Sequence, residues 1–203
     1  MTALRLAAIY RYPLKSAAGL ACERATLDDF GIAGDRRWLL VDPAGDFMSQ
    51  RRLPALALLQ AVAQGDGLSL AFGGDRLAVP GPAAKAPART VTVWGDRVTA
   101  LDAGDAAALW LKERLGTACR LVYMPDDCRR PVDPAYAPAG RRVSFADGFP
   151  LLLLTQASLD GLNARLPAAV SMDRFRPNLV IDGAEAHAED GWRRLRIGAV
   201  TVD

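Results

Sequence analysis

Val91-Thr92-Val93-Trp94-Gly95-Asp96-Arg97-Val98-Thr99-Ala100 joins two β-prone runs through a short polar turn. Gly95-Asp96 reads as the two-residue loop of a β-hairpin. Working back along the chain, residues 68–72 and 76–79 flank Gly73-Gly74 in the same manner. Residues 56–62 and 37–41 are further strands, the second closed by the turn Asp42-Pro43-Ala44-Gly45. Leu4-Arg5-Leu6-Ala7-Ala8-Ile9-Tyr10 begins another. The Pro/Ala-rich stretch 80–87 is an inserted surface loop.

Working forward, a helix starts with Asp102 as its N-cap and Asp105 complementing the first amides. Ala108, Leu111 and Leu115 share one face, and Gly116 ends it. Residues 119–123 form a strand. Four prolines make 125–140 irregular, as in functional lids. Residues 150–154 read as a fully buried strand. Thr155 caps a second helix with Leu159, Leu162 and Leu166 inward, and Pro167 stops it. Residues 178–181, 195–197 and 199–202 are strands. Many short strands with two main helices predict a barrel-rich, β-rich α+β fold.

The 203 residues carry a net charge of only +2 and are 51% hydrophobic. That supports a substantial core, and it implies no strongly basic face for nucleic acid. Cys22, Cys119 and Cys128 are an odd, widely spaced set, neither a disulfide framework nor a zinc site. A soluble protein of a reducing, cytoplasmic compartment is expected, with no membrane span.

Lysine stands only at 15, 85 and 112, against 22 arginines. Tyr12-Pro13-Leu14-Lys15-Ser16 therefore sets an exceptional lysine just after a stiff proline. Two readings stay open: an ammonium and a hydroxyl facing an anion, or a surface lysine after a turn. Arginine pairs recur at 36–37, 51–52, 129–130, 141–142 and 193–194, and most read as solvated. In Gly34-Asp35-Arg36-Arg37-Trp38, strand alternation sends the two arginines to opposite faces, and Arg36 is the one assigned to a pocket. In Arg174-Phe175-Arg176-Pro177-Asn178, alternation puts Arg174, Arg176 and Asn178 on one side and Phe175 in the core. That polar side faces either a ligand or water. His187, the lone histidine, reads as a solvated surface group. Cys128, beside Arg129 and Arg130, reads as an ordinary loop thiol.

Together these segments resemble the MOSC superfamily. The nearest likeness is to the mitochondrial amidoxime-reducing component group and its bacterial counterparts. The resemblance runs through Ile9-Tyr10-Arg11-Tyr12-Pro13-Leu14-Lys15-Ser16, Gly34-Asp35-Arg36-Arg37-Trp38 and Ser49-Gln50-Arg51. It continues through Ala157-Ser158-Leu159-Asp160-Gly161-Leu162-Asn163, Arg174-Phe175-Arg176-Pro177-Asn178 and Glu189-Asp190-Gly191-Trp192. It implies an N-terminal β-barrel-like domain over 1–116 and the first part of a MOSC domain over 117–203.

It also implies a molybdenum cofactor (molybdopterin) contacted by Lys15, Ser16, Arg36, Arg176 and Asn178. Asp147, Gly148 and Phe149 align with a further contact segment, where glycine and phenylalanine replace the family's hydroxyl residues and leave backbone groups to make contact. The implied reaction is reduction of a small N-hydroxylated substrate, with electrons from a separate ferredoxin- or flavin-type protein. The family's metal-ligating cysteine falls beyond Asp203, and none of the three cysteines matches it. The resemblance thus implies a truncated or short form without the metal's thiolate. A cofactor carrier or sulfur-transfer module, or a non-enzymatic anion-binding barrel, are the alternative roles.

Overall fold

A computed structural model describes residues 3–202. Strands dominate, with two α-helices, Asp105–Leu115 and Gln156–Asn163. This is the expected β-rich α+β class. Two compact units emerge. Among the described residues, the larger takes 11–20 and 26–150, and the smaller takes 3–10, 21–25 and 151–202.

In the larger unit, Trp38–Val41 lies beside Arg120–Tyr123, which is followed across the sheet by Asp96–Asp102 and Ala88–Val93. The run Trp38-Leu39-Leu40-Val41, at one edge of this sheet, is apolar throughout because both of its faces are covered. Trp38 and Leu40 enter one cluster with Leu14, Leu56, Leu111 and Leu121. Leu39 and Val41 enter another with Val91, Val93, Val98 and Phe145. Full burial of each of these leucines stabilises the fold by about 2–3 kcal/mol. A second sheet, Gln60–Gln64, Gly67–Phe72 and Asp75–Val79, is an antiparallel meander. In the smaller unit the sheet order is Leu153–Thr155, Leu179–Asp182, Arg5–Arg11 and Leu20–Cys22.

Several sequence expectations shift. Gly73-Gly74 is the hairpin turn, with Phe72 opposite Asp75 and both glycines at positive φ. The other hairpin is offset by one residue. Asp96 pairs with Val93, so Trp94-Gly95 forms the turn, and Trp94 takes φ 54°. Residues 54–58 form a 3₁₀ turn started by Pro54, and the strand follows it.

Asp102 is no N-cap. Gly104 holds that position, and Asp102 is a buried acid claimed by Arg120 and Arg89. Ala107, not Ala108, is the buried alanine of that helix beside Leu111 and Leu115, and Gly116 closes it at φ 69°. Thr155 does cap its helix, accepting from Ser158 N–H, but the helix ends at Asn163 and leaves Leu166 exposed. The strand expected at 150–154 spans Leu153–Thr155 and is only half-buried, with Leu152 exposed. Among the described residues no helix is long and apolar enough to cross a membrane.

Candidate functional site

Lys15 is placed by backbone bonds to the strand Trp38–Val41. Trp38 N–H donates to Pro13 O (3.0 Å), and Lys15 N–H donates to Trp38 O (2.9 Å). Leu14 between them is fully buried. The lysine is therefore drawn inward, and it is only 6% exposed. The reading as a surface lysine is excluded. Its Nζ donates to Asp147 Oδ1 at 2.6 Å and stands 5.5 Å from the centre of the Phe47 ring. Burial outweighs the Asp147 carboxylate and pushes the ammonium down to about 8, and the charges of Arg130 and Arg36 push the same way. Three cations thus bear on one locality.

Arg36 takes φ 47°, a left-handed conformation that a side chain this large adopts rarely. The surroundings dictate it. Its N–H donates to Tyr12 O (2.7 Å), and its own carbonyl accepts from Phe145 N–H (2.9 Å). The guanidinium stacks 4.3 Å from the Tyr12 ring centre and pairs with Asp35 Oδ2 at 2.6 Å. Asp35 Oδ1 accepts Tyr12 N–H at 2.7 Å. The alternation expected for the arginine pair does not apply, because the strand begins only at Trp38. Arg37 is buried as well. It is committed to Met124 O and Asp126, with Phe30 and Tyr123 facing its guanidinium.

The solvated reading fails for Arg130 too, whereas Arg51, Arg52, Arg129, Arg141, Arg193 and Arg194 are exposed. Arg130, 3% exposed, donates to the carbonyls of Ser144 (2.8 Å), Ala146 (2.6 Å) and Asp147 (2.8 Å), and to Asp96 Oδ2 (2.8 Å). One side chain thus fixes the Asp147 backbone to the hairpin tip. Arg142 lies over Phe30, and Arg51 over Trp94. Trp94 itself escaped the sequence reading, yet its indole N–H donates to Asp147 Oδ1 at 2.7 Å. Burial pushes the Asp147 carboxyl up, but Lys15 and Trp94 bring it net below its ordinary value.

Ser16 also has positive φ, 66°, and its carbonyl accepts from Gln50 Nε2 at 2.8 Å. A Cβ on Gly148 would meet nothing within 4 Å. Phe149 is exposed and lies edge-on to Tyr136 at 5.9 Å.

Arg176 and Asn178 belong to the smaller unit. Residues 172–174 form a 3₁₀ turn and Arg176 takes φ 58°, so simple alternation does not hold. Phe175 is exposed, not in the core. Asn178 is buried and bridges neighbouring strands. Its amide donates to Tyr10 O (3.2 Å) and accepts from Leu152 N–H (3.2 Å).

Five non-glycine residues among those described have positive φ: Ser16, Arg36, Trp94, Arg176 and His187. Three of them are candidate ligand contacts, and Trp94 touches a fourth candidate, Asp147. Such conformations persist where surrounding structure over-determines them, and they concentrate at functional sites. Burial pushes Cys119 up to about 11 and raises Cys128 as well. Among the described residues no group of three histidine, cysteine or acidic side chains is placed to hold a metal ion. The donor set suits an anion.

Residues 3–118 match the MOSC N-terminal beta barrel domain, and residues 140–203 match the MOSC domain. Mitochondrial amidoxime-reducing component 1 of Mus musculus is 33% identical over 97% of this chain and 61% of its own length. The Homo sapiens counterpart is 32% identical with the same coverage. Molybdenum cofactor sulfurase of Oryza sativa is 28% identical over 96% of this chain and 26% of its own length. The chain thus spans about 61% of the amidoxime-reducing relatives.

Proposed function

This chain belongs to the MOSC family, and on that premise we propose that its larger unit holds the anionic phosphate of a molybdenum cofactor. The observation that carries the reading is the Lys15 ammonium, buried beside Arg36 and Arg130 under a single exposed carboxylate. A buried cation in that setting is costly unless an anion compensates it. Lys15 supplies a point charge. Arg36 supplies planar donors, held rigid by Tyr12 and Asp35. Ser16 adds a hydroxyl on a fixed left-handed backbone. Gly148 and Phe149 add backbone donors. For Arg176 and Asn178 the role rests on the family likeness, with Asn178 also serving its own sheet.

When bound, the molybdenum centre supplies two-electron redox chemistry, and the protein supplies binding and orientation. The function proposed for the whole protein is reduction of small N-hydroxylated compounds, with electrons from a separate donor protein. A second reading, cofactor carriage or sulfur transfer, draws on the molybdenum cofactor sulfurase that matches 96% of this chain. The deciding experiment measures pterin and molybdenum bound to the purified protein, then amidoxime reduction against sulfur delivery to an acceptor enzyme. Absence of bound pterin in the folded protein would contradict both readings.

A further inference from the structure

Lys15 Nζ has one hydrogen-bond partner among the described residues, Asp147 Oδ1. The two side chains live in opposite environments: Lys15 is 7% exposed, and Asp147 is 78% exposed. An outward-facing carboxylate therefore covers an inward-facing cation. The same oxygen, Oδ1, also accepts the Trp94 indole N–H at 2.7 Å. Trp94 reaches it from a hairpin turn at φ 54°, a conformation suited to glycine or asparagine. Phe47 holds the indole at 4.8 Å between ring centres, and the Arg51 guanidinium lies 5.6 Å from the indole. The same tip fixes the Asp147 backbone through Asp96 and Arg130. The turn thus grips Asp147 twice, at the main chain and at the carboxylate.

We propose that the Asp147 carboxylate is a built-in competitor for anions at Lys15, and that Trp94 is the positioning residue that sets how strongly it competes. This rests on the reading of Lys15 as an anion-binding cation. An incoming phosphate must displace a negative charge already seated on the ammonium. With Asp147 swung away, the ammonium is open to the ligand. The device keeps a costly buried cation compensated while no ligand is bound, and it makes the ligand's affinity a difference between two anions.

The test is isothermal titration of the purified full chain with inorganic phosphate at pH 7. The variants are Lys15→Met, Asp147→Asn, Trp94→Phe and the Trp94→Phe/Asp147→Asn double. Trp94→Phe keeps a ring against Phe47 but removes the N–H. Asp147→Asn should bind phosphate at least about tenfold more tightly than wild type, because one competing charge is gone. Trp94→Phe should gain a smaller factor, about threefold, and the double variant should gain nothing beyond Asp147→Asn. A merely structural Trp94 would instead lower affinity in both backgrounds and would add to Asp147→Asn.

NMR titration of the Lys15 ammonium supplies a second readout, with its midpoint falling in Asp147→Asn. Phosphate binding that Lys15→Met abolishes, with affinity unchanged in Asp147→Asn and Trp94→Phe, overturns this inference and leaves the anion-site reading standing. Phosphate binding that Lys15→Met does not weaken overturns both. So does an Asp147→Asn protein that binds no phosphate at all.

Discussion

The Arg36 guanidinium stacks 4.3 Å from the centre of the Tyr12 ring, while Asp35 ties the two residues from behind. Asp35 Oδ1 accepts Tyr12 N–H and Oδ2 accepts Arg36. All three are buried. Arg36→Ala leaves a buried carboxylate without its cation and should cost about 3 kcal/mol. Arg36→Lys keeps the charge but loses the planar stack, and should cost about 1 kcal/mol. Urea unfolding of the two variants checks the order. An Arg36→Lys protein as stable as wild type would mean that the stack contributes nothing.

Gly19 lies under the same ring. A Cβ there would sit 2.4 Å from Tyr12 Cε1, a distance that no real contact tolerates. Tyr12 is buried and stacked, so it cannot swing away freely. Gly19→Ala should therefore destabilise by about 2 kcal/mol through overpacking. It should also weaken phosphate binding by displacing Arg36. Thermal unfolding and phosphate titration of the same sample measure both effects.

Arg130 closes four hydrogen bonds from a buried position. Arg130→Met should cost about 3 kcal/mol or more, because three carbonyls and Asp96 lose their donor together. Amide hydrogen exchange should accelerate most around 144–147. Exchange spread evenly over the larger unit would argue against a local clamp.

Two buried charges each make stability rise with pH, in two separate windows. Burial alone would raise the Asp102 carboxyl, but Arg120, the Gly104 amide and Arg89 hold it at about 2, below its ordinary 3.8. Its contribution to stability is full above about 3.8 and is lost as the pH falls through about 2. Asp102→Asn should flatten that acid limb. Lys15 is depressed from 10.5 to about 8. Here the unfolded chain holds the proton more tightly, so stability from this group rises as the pH climbs from about 8 to 10.5. Lys15→Met should remove that alkaline rise. Stability curves from chemical unfolding at each pH show both limbs.

The parts of this fold that were legible in the sequence are those set by neighbours in the chain. Gly73-Gly74 marks its hairpin because two adjacent glycines suit two positive φ angles. Thr155 marks its helix because the capped amide lies three residues on. Asp102 was misassigned because its decisive partner, Arg120, is 18 residues away in the neighbouring strand. The tight turn slipped by one residue because Trp94 accepts a left-handed backbone against its own preference, a choice fixed by Phe47 and Asp147.

At the site, Lys15 was visible as a compositional exception. Arg130 was not, since one arginine of a pair gives no local hint that three carbonyls will surround it. Tyr12 was the available clue for Arg36, an aromatic residue next to a proline and within the same basic motif.

The central claim is that Lys15 and Arg36 hold an anionic pterin. Its most direct test is the pterin content of the protein purified from cells that make molybdenum cofactor, compared with Lys15→Met and Arg36→Lys variants shown to be folded. The account predicts pterin bound to the wild type, most of it lost in Lys15→Met, and an intermediate loss in Arg36→Lys. Equal pterin in all three proteins, or none in the folded wild type, would contradict it.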